Sequence, residues 1–184
     1  MHITKLEYQK KTPGRVNIYV DGKFAVGISL DDVVKLGLFK DQEISSDFLN
    51  QIISQSEFGK ALNLALNFLS FRPRSEFEVR QYLKRKKAEN VDKIIDRLRE
   101  LGQINDEEFT KWYLDQRKTF RPKGRRALQA ELYKKGIKTK LPGSFNEKEL
   151  ALKAIKKYHG VSPERFLDAR GFSWSTIEEV LKKE

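Results

Sequence analysis

The N-terminal part of the chain alternates apolar and polar positions, a pattern typical of β-strands. Residues 3–8 (ITKLEY) and 15–20 (RVNIYV) show this pattern, so we predict a strand in each. Asp21-Gly22 lies between RVNIYV and KFAVGI and supplies the positive φ angles of a two-residue hairpin turn. Residues 1–45 are therefore predicted to form a small β-rich unit that contains a hairpin.

From Ser46 onward the apolar residues recur every three or four positions, which predicts amphipathic helices. Pro73 ends the first of these helices, and Ser75 with Glu78 forms a capping box for the next. Short helices of this kind bury their apolar faces only when they close into a bundle or stack on neighbours. We predict a first three-helix repeat, with a lead-in helix, over residues 46–102.

A short motif recurs along the helical part of the chain. FRPRS, which begins at Phe71, returns 49 positions later as FRPKG, which begins at Phe120. An echo with matching turn chemistry predicts tandem helical repeats. Four turn-forming residues are predicted from it: Pro73, Ser75, Pro122 and Gly124.

The second repeat is predicted over residues 103–145, and its first helix is capped by Asn105. A third helix should follow the second basic helix, but the sequence there is IKTKLPGSF. Pro142 and Gly143 are incompatible with a regular helix, so we predict that a loop over residues 137–145 replaces it.

Residues 146–184 predict a third three-helix repeat, in which Ser175 with Glu178 caps the last helix. Trp174 lies at the entrance of that helix and is expected to seal the bundle.

The formal net charge of +11 is unevenly distributed. Residues 1–56 contain equal numbers of basic and acidic side chains, so the whole excess lies in the helical part. It concentrates further in residues 72–87 and 117–140. Such asymmetry favours an anionic partner, either nucleic acid or an acidic protein surface, over a set of merely solvated helix faces.

The sequence offers few residues suited to catalysis. It has no cysteine, and its only histidines are His2 and His159. We find no HExxH motif, no paired carboxylates and no glycine-rich phosphate loop. The chain is therefore predicted to be no enzyme and to bind no metal or cofactor.

The chain also lacks an apolar stretch long enough to span a bilayer, and its first residues lack the apolar core of a signal peptide. These features predict a cytoplasmic protein without membrane contact.

Four stretches of the chain resemble the RecX regulatory proteins, bacterial modulators of the RecA recombinase. The most specific is ALNLALNFLSFRPRSEFEVRQYLKRKK, residues 61–87, in which Val79 replaces the family's usual leucine. IIDRLRELGQINDEEFTKWYLDQR, residues 94–117, is similar to the family's junction between its first two repeats. RGFSWSTIEEVL is similar to its closing motif, and RVNIYVDGKFAVGI to an N-terminal extension found in some of its branches.

This resemblance implies a mainly α fold, with tandem three-helix repeats strung into an elongated, curved rod behind the small N-terminal unit. It also implies a protein that binds RecA and its filament on single-stranded DNA, and we expect the chain to be a monomer. Family members inhibit the ATP hydrolysis, strand exchange or filament growth of RecA, and so restrain recombination and the DNA-damage response. They normally complete the second repeat with a third helix, where this chain is predicted to have the 137–145 loop.

Basic residues in or beside the family's motifs are our candidate contacts to RecA or DNA. They are Arg72, Arg74, Arg80, Lys84, Arg85, Lys86, Lys87, Arg117, Arg121, Lys123, Arg125, Arg126, Lys134 and Lys135. Two other functions remain open from the residues: a helical DNA-binding module that acts without RecA, and an adaptor that uses apolar surfaces alone. Neither basic helix has the grouping of Asn, Gln and Arg expected for reading base edges.

Overall fold

The computed structural model describes residues 1–141 and 145–182, and it is mainly helical with a small antiparallel sheet near the N-terminus. The contacts divide the chain into two units. Unit 1 comprises Met1–Asn67 and Leu83–Ile94, and unit 2 comprises Phe68–Tyr82 and the chain from Ile95 onward. Residues 142–144 of the predicted loop lie outside the described residues.

Three antiparallel strands in the order β1-β2-β3 form the sheet of unit 1. They are β1 (Ile3–Tyr8), β2 (Arg15–Val20) and β3 (Lys23–Ser29), so both predicted strands are confirmed. Asp21 and Gly22 have φ angles of 47° and 80°, which confirms the predicted hairpin turn.

Two helices complete the core beneath the sheet. α1 (Leu30–Lys35) is capped by Ser29, and α2 (Ser46–Ser70) lays its first half on the sheet. The Oγ of buried Ser56 donates a 2.7 Å hydrogen bond to the carbonyl of Gly27. Ten buried apolar residues form this core: Ile3, Val16, Ile18, Val20, Val26, Ile28, Val33, Leu38, Ile44 and Ile52. The sheet and the start of α2 therefore stabilise each other by burying apolar surface from water.

The next two helices are α3 (Glu76–Arg85) and α4 (Val91–Glu100). The predicted capping box is confirmed, because Glu78 N–H donates to Ser75 Oγ at 3.3 Å and Ser75 N–H donates to Glu78 Oε2 at 3.4 Å. The apolar stripes of both helices are fully buried at Val79, Leu83, Ile94, Ile95 and Leu98.

The second repeat contains α5 (Asp106–Phe120) and α6 (Arg125–Lys134). After α6, residues 137–141 and Phe145 are irregular, and Ile137 and Leu141 are buried with the apolar residues of α5 and α6. Gln129 holds this segment, donating to the carbonyl of Thr139 at 3.0 Å and accepting from Leu141 N–H at 2.9 Å. An irregular segment therefore supplies apolar side chains to the core of this repeat.

The last three helices are α7 (Glu147–Ile155), α8 (Pro163–Ala169) and α9 (Trp174–Leu181). They bury Leu150, Ala151, Ala154, Leu167, Phe172, Ile177 and Val180.

Two expectations about α9 are wrong. Its N-cap is Ser173, not Ser175, because the Ser173 hydroxyl accepts the N–H of Thr176. Trp174 is 61% exposed and seals nothing. Phe172, which is 1% exposed, is buried in this core, and Phe145 and Phe166 pack against it.

Candidate functional site

The repeated motif forms two turns, which we call the first Pro turn (residues 71–75) and the second Pro turn (residues 120–124). The helix after each turn begins with a backbone N–H that donates to a carboxylate on the first residue of a later helix. Glu76 N–H donates to Asp106 Oδ1 at 2.8 Å, and Arg125 N–H donates to Glu147 Oε1 at 2.7 Å. These acids satisfy otherwise unpaired helix N-terminal donors and complement the helix dipole.

Each Pro turn also meets a carbonyl at the end of a later helix. Ser75 Oγ donates to the carbonyl of Lys135 at 2.7 Å, and Gly124 N–H donates to the carbonyl of Arg170 at 3.0 Å. A Cβ atom at position 124 would lie only 2.1 Å from the carbonyl oxygen of Gly171, so glycine is required there. The predicted turn residues Ser75 and Gly124 thus join successive repeats within unit 2.

In the first Pro turn, Arg72 forms an ion pair with the carboxylate of Glu78. Glu78 accepts from Arg72 Nη2 at 2.9 Å and from Lys135 Nζ at 2.6 Å. Burial alone would raise the pKa of Glu78, but the hydrogen bonds from Arg72 and Lys135 outweigh it and lower that pKa to about 2. Glu78 is therefore ionised at neutral pH and holds two of the candidate cations.

Arg74 is held by aromatic rings. Its guanidinium lies 3.9 Å from the centroid of the Phe68 ring, which itself stacks on Tyr82 at 4.2 Å. Burial, together with the nearby charge of Arg72, lowers the pKa of Arg74. The cation–π contact with Phe68 therefore holds the half-buried guanidinium of Arg74 in place.

Arg80 of α3 also points to an acid of its own helix. Its Nε lies 2.7 Å from Glu76 Oε1, and Arg99 of α4 lies 2.5 Å from the other oxygen of the same carboxylate. Burial opposes ionisation of Glu76, yet the two arginines lower its pKa.

The four cations after Arg80 lie at the end of α3 and in the turn that follows, within unit 1. Lys84, Arg85, Lys86 and Lys87 are all exposed. In the part of the chain that the structure describes, the side chains of Lys84, Arg85 and Lys87 contact no acid.

Two cations around the second Pro turn share Glu131 of α6. Arg117 Nε lies 2.9 Å and Lys123 Nζ 2.5 Å from its oxygens, and the Tyr113 hydroxyl donates to it at 2.9 Å. Burial would raise the pKa of Glu131, but the bonds from Lys123 and Tyr113 and the charge of Arg117 lower it. Glu131 on α6 therefore holds one cation from α5 and one from the second Pro turn. Glu78 on α3 likewise holds one cation from the first Pro turn and one from the end of α6.

The remaining candidate cations of residues 117–140 differ in whether their side chains have a partner. Arg125 Nη1 donates to the carbonyl of Leu141 at 3.1 Å, and exposed Arg126 lies 2.7 Å from Asp168. Arg121 and Lys134 are exposed, and neither side chain has a partner among residues 1–141 and 145–182.

Charge counting in the sequence does not separate the cations that pair with an acid from those that do not. Five candidates are exposed and contact no acid in the described structure: Lys84, Arg85, Lys87, Arg121 and Lys134. The sequence analysis missed Glu78 and Glu131 as binding partners of the cations. The signal was present, since Glu131 is the sole acid within the second basic run.

Two further findings concern other kinds of site. No cluster of three or more His, Asp or Glu side chains in the described ranges is placed to hold a metal ion. None of the described helices combines the length and the apolar character needed to cross a bilayer.

Three family models match successive parts of the chain. Residues 1–45 match the "Regulatory protein RecX N-terminal domain", residues 61–98 match "RecX, first three-helix domain", and residues 105–141 match "RecX, second three-helix domain".

Curated proteins with the name "Regulatory protein RecX" are similar to the chain. The protein of Clostridioides difficile (strain 630) is 30% identical over 200 residues, which cover 98% of this chain and 94% of that protein. The protein of Bacillus velezensis (strain DSM 23117 / BGSC 10A6 / LMG 26770 / FZB42) is 37% identical over 137 residues, 73% of this chain and 52% of that protein. The chain spans about half the length of the curated relatives it matches first.

A solved structure described as "Crystal structure of regulatory protein RecX" has the same fold. It superposes with a TM-score of 0.70 at 26% sequence identity, and the match covers 99% of each chain. On the full-length match in sequence and the agreement in fold, this chain belongs to the family of RecX regulatory proteins.

Proposed function

We propose that this chain is a cytoplasmic, non-catalytic regulator that binds RecA and its filament on single-stranded DNA. Binding lowers the ATP hydrolysis of RecA, its strand exchange and the growth of its filament. The chain acts as a monomer, and it contacts its partner through cations rather than through a catalytic centre.

The observation that carries this proposal is the set of exposed cations without an acidic partner. Lys84, Arg85 and Lys87 belong to unit 1, and Arg121 and Lys134 belong to unit 2. A cation that already holds a carboxylate must lose that contact before it binds a partner, whereas a free one gains Coulomb energy at once. A filament that carries a single-stranded DNA offers a row of phosphates and acidic side chains for such groups.

The joints between repeats support the same proposal. The start of α3 is fixed by the carbonyl of Lys135 and the carboxylate of Asp106. The start of α6 is fixed by the carbonyl of Arg170 and the carboxylate of Glu147. Rigid elements present binding groups with less loss of conformational entropy than mobile loops do. Arg121 lies in the second Pro turn, three residues before Gly124, whose N–H donates to the carbonyl of Arg170.

Hydrolysis of ATP by RecA pre-assembled on single-stranded DNA tests the proposal. We expect the purified chain to lower the rate at substoichiometric ratios, because one regulator on a filament affects many RecA subunits. An unchanged rate at low salt would overturn the proposal. If the rate were unchanged while the chain bound bare DNA tightly with a steep salt dependence, the function as a DNA-binding module without RecA would be favoured.

Charge reversal tests which cations act. We expect Lys84→Glu/Arg85→Glu/Lys87→Glu, and separately Arg121→Glu/Lys134→Glu, to raise the concentration of chain needed for half inhibition by about tenfold or more. The matched control for the triple variant is Lys10→Glu/Lys11→Glu/Lys23→Glu, which reverses three exposed lysines of the N-terminal sheet region. Equal loss in the triple variant and its control would show that net charge alone, and not the candidate cations, governs inhibition.

A further inference from the structure

A groove of about 600 Å³ lies beside the second Pro turn, within unit 2. Its charged lining residues are Arg121, Lys123, Lys157 and Arg170, and no acid lines it among the residues that the structure describes. Phe120 and Phe166 contribute aromatic rings to the same groove. Lys157 and Arg170 lie outside both basic runs, so the charge analysis of the sequence did not single them out.

Arg170 is fixed in place for binding. Its guanidinium lies 4.4 Å from the centroid of the Phe166 ring, and its Nη1 donates to the carbonyl of Pro122 at 3.2 Å. The Phe166 ring is in turn stacked on Tyr158 at 4.1 Å. A guanidinium has five N–H donors, so most of them remain for a ligand, and little side-chain entropy is left to lose on binding.

The other cations differ in availability. Lys123 is paired with Glu131 at 2.5 Å, a carboxylate that it shares with Arg117, so it must give up an internal contact to bind a ligand. Arg121 and Lys157 are exposed, and neither side chain has a partner in the described part of the chain. The groove thus combines one fixed guanidinium with two free cations.

Phe120 is the unusual apolar residue of this groove, because 68% of it is exposed to water. An exposed ring beside cations is the arrangement on which the bases of a single strand stack while their phosphates are held. Bases inside a duplex are already stacked on one another, so the ring would have no free face to meet there. The carboxylates of an acidic peptide could pair with the cations, so the experiments below distinguish a protein contact from a nucleic-acid contact.

We propose that this groove binds a short segment of single-stranded DNA directly, with phosphates at Arg121, Lys157 and Arg170 and one base stacked on Phe120. This goes beyond the proposed function, which contacts to RecA alone would satisfy. The chain then holds the strand of the filament itself, at a site built by the second and third repeats.

Fluorescence anisotropy with a labelled twenty-nucleotide oligothymidylate, in the absence of RecA, tests the charges. We expect Arg121→Glu/Lys157→Glu to weaken binding about tenfold or more and to reduce the slope of log K against log salt by about 1.4 for the two lost phosphate contacts. The control is Lys111→Glu/Lys138→Glu, which makes the same charge change at two exposed lysines outside the groove. Equal weakening in both variants would overturn the site.

The ring is tested with a matched pair of phenylalanines. We expect Phe120→Ala to weaken binding of the oligothymidylate about fivefold or more, and to leave binding of an abasic oligonucleotide of the same length unchanged. Phe71→Ala, at the equivalent and 83% exposed position of the first Pro turn, should behave as wild type. Equal effects of the two variants, or equal effects on the two oligonucleotides, would overturn base stacking at Phe120.

A measurement on the unaltered chain completes the test. Photocrosslinking with a 5-iododeoxyuridine oligonucleotide should attach label to a peptide that contains Phe120, and label elsewhere alone would contradict the site. If Arg121→Glu/Lys157→Glu kept its affinity for the oligonucleotide but lost inhibition of RecA, the groove would be a protein contact, so this inference would fail while the proposed function stood. If affinity were lost while wild-type chain never inhibited RecA, the inference would stand and the proposed function would fail.

Discussion

The two Pro turns have almost the same sequence, yet they leave their arginines in opposite states. Arg72 of the first Pro turn reaches Glu78, whereas its counterpart Arg121 in the second is exposed and free of partners in the described structure. When the two copies are aligned on Phe71 and Phe120, the position of Glu78 is taken by Ala127. The carboxylate of Glu78 therefore pairs with Arg72 in the first copy, and the second copy has no acid at that position to pair with Arg121.

The local packing gives Ala127 a physical reason. A Cβ atom on Gly171 would lie 2.5 Å from the Cβ of Ala127, so this face of α6 lies very close to the end of α8. In the first Pro turn Glu78 takes the corresponding position, where its carboxylate meets Lys135 as well as Arg72. The small side chain of Ala127 permits this close approach, and it also leaves Arg121 without an acid at the position that Glu78 takes in the first copy.

The largest expected effect comes from removing the carboxylate of the first Pro turn. Glu78→Gln should lower the free energy of unfolding at neutral pH by about 3 kcal/mol, because two cations lose their charged partner in a site where the Glu78 side chain is only 12% exposed. Urea denaturation followed by circular dichroism measures this. Glu164→Gln, at an exposed acid with no contact in the described structure, is the control and should change little. A loss below about 1 kcal/mol in Glu78→Gln would show that the contacts of Glu78 with Arg72 and Lys135 do not stabilise the fold.

The same carboxylate predicts the pH dependence of stability. The pKa of Glu78 is about 2 in the folded chain, against 4.5 for an ordinary glutamate, so its contribution is fully present above about pH 4.5 and is lost as the pH falls towards 2. Glu76 and Glu131, whose pKa values are also lowered, act in the same direction, and Asp106, whose pKa is raised by burial, acts in the opposite one. Wild type should therefore lose more stability than Glu78→Gln across this range. Parallel curves for the two proteins would contradict the assignment.

The sequence could predict those interactions that join residues close together along the chain. The hairpin turn at Asp21-Gly22, the capping box of Ser75 and Glu78 and the helical periodicity of α2 to α6 each depend on residues a few positions apart, and all are present in the structure. The pairing of Glu78 with Lys135 spans 57 residues and depends on how repeats dock, so no local pattern contains it. For the same reason charge runs indicated an anionic partner but not which cations are free.

The error at α9 has a local cause. Ser173 and Ser175 both precede apolar residues at helical spacing, and an acid three positions after Ser175 made the later serine the better capping box. The buried side chain of Phe172 fixes the start of the helix earlier, and Trp174 is left outside. Tertiary burial of one aromatic residue outweighs a capping preference of about 1 kcal/mol.

The contacts of Ser75 and Gly124, which join successive repeats, should differ in how much stability a substitution to alanine removes. Gly124→Ala should destabilise the chain by about 2 kcal/mol, because the new Cβ would overlap the carbonyl oxygen of Gly171. Ser75→Ala, at the equivalent position, should cost about 1 kcal/mol through the lost cap and the lost bond to Lys135. Gly59→Ala in α2, where a Cβ meets no atom within 4 Å, is the control and should stabilise the chain slightly. If Gly124→Ala behaved like Gly59→Ala, the close docking at the second turn would be disproved.

The smallest expected effect on stability separates the two arginines themselves. Arg72→Ala removes one of the two cations that hold Glu78 and should lower the free energy of unfolding by about 1 kcal/mol, while Arg121→Ala should change it by less than about 0.5 kcal/mol. In the RecA hydrolysis assay the order should reverse, since only Arg121 is available to a partner without breaking an internal contact. Arg72→Lys, which keeps the charge but loses the fork that meets the carboxylate, should recover part of the stability of wild type. If Arg72→Ala and Arg121→Ala had equal effects in both assays, the replacement of the acid by Ala127 in the second copy would have no consequence for the arginines. The two Pro turns would then differ in sequence but not in the role of their arginines.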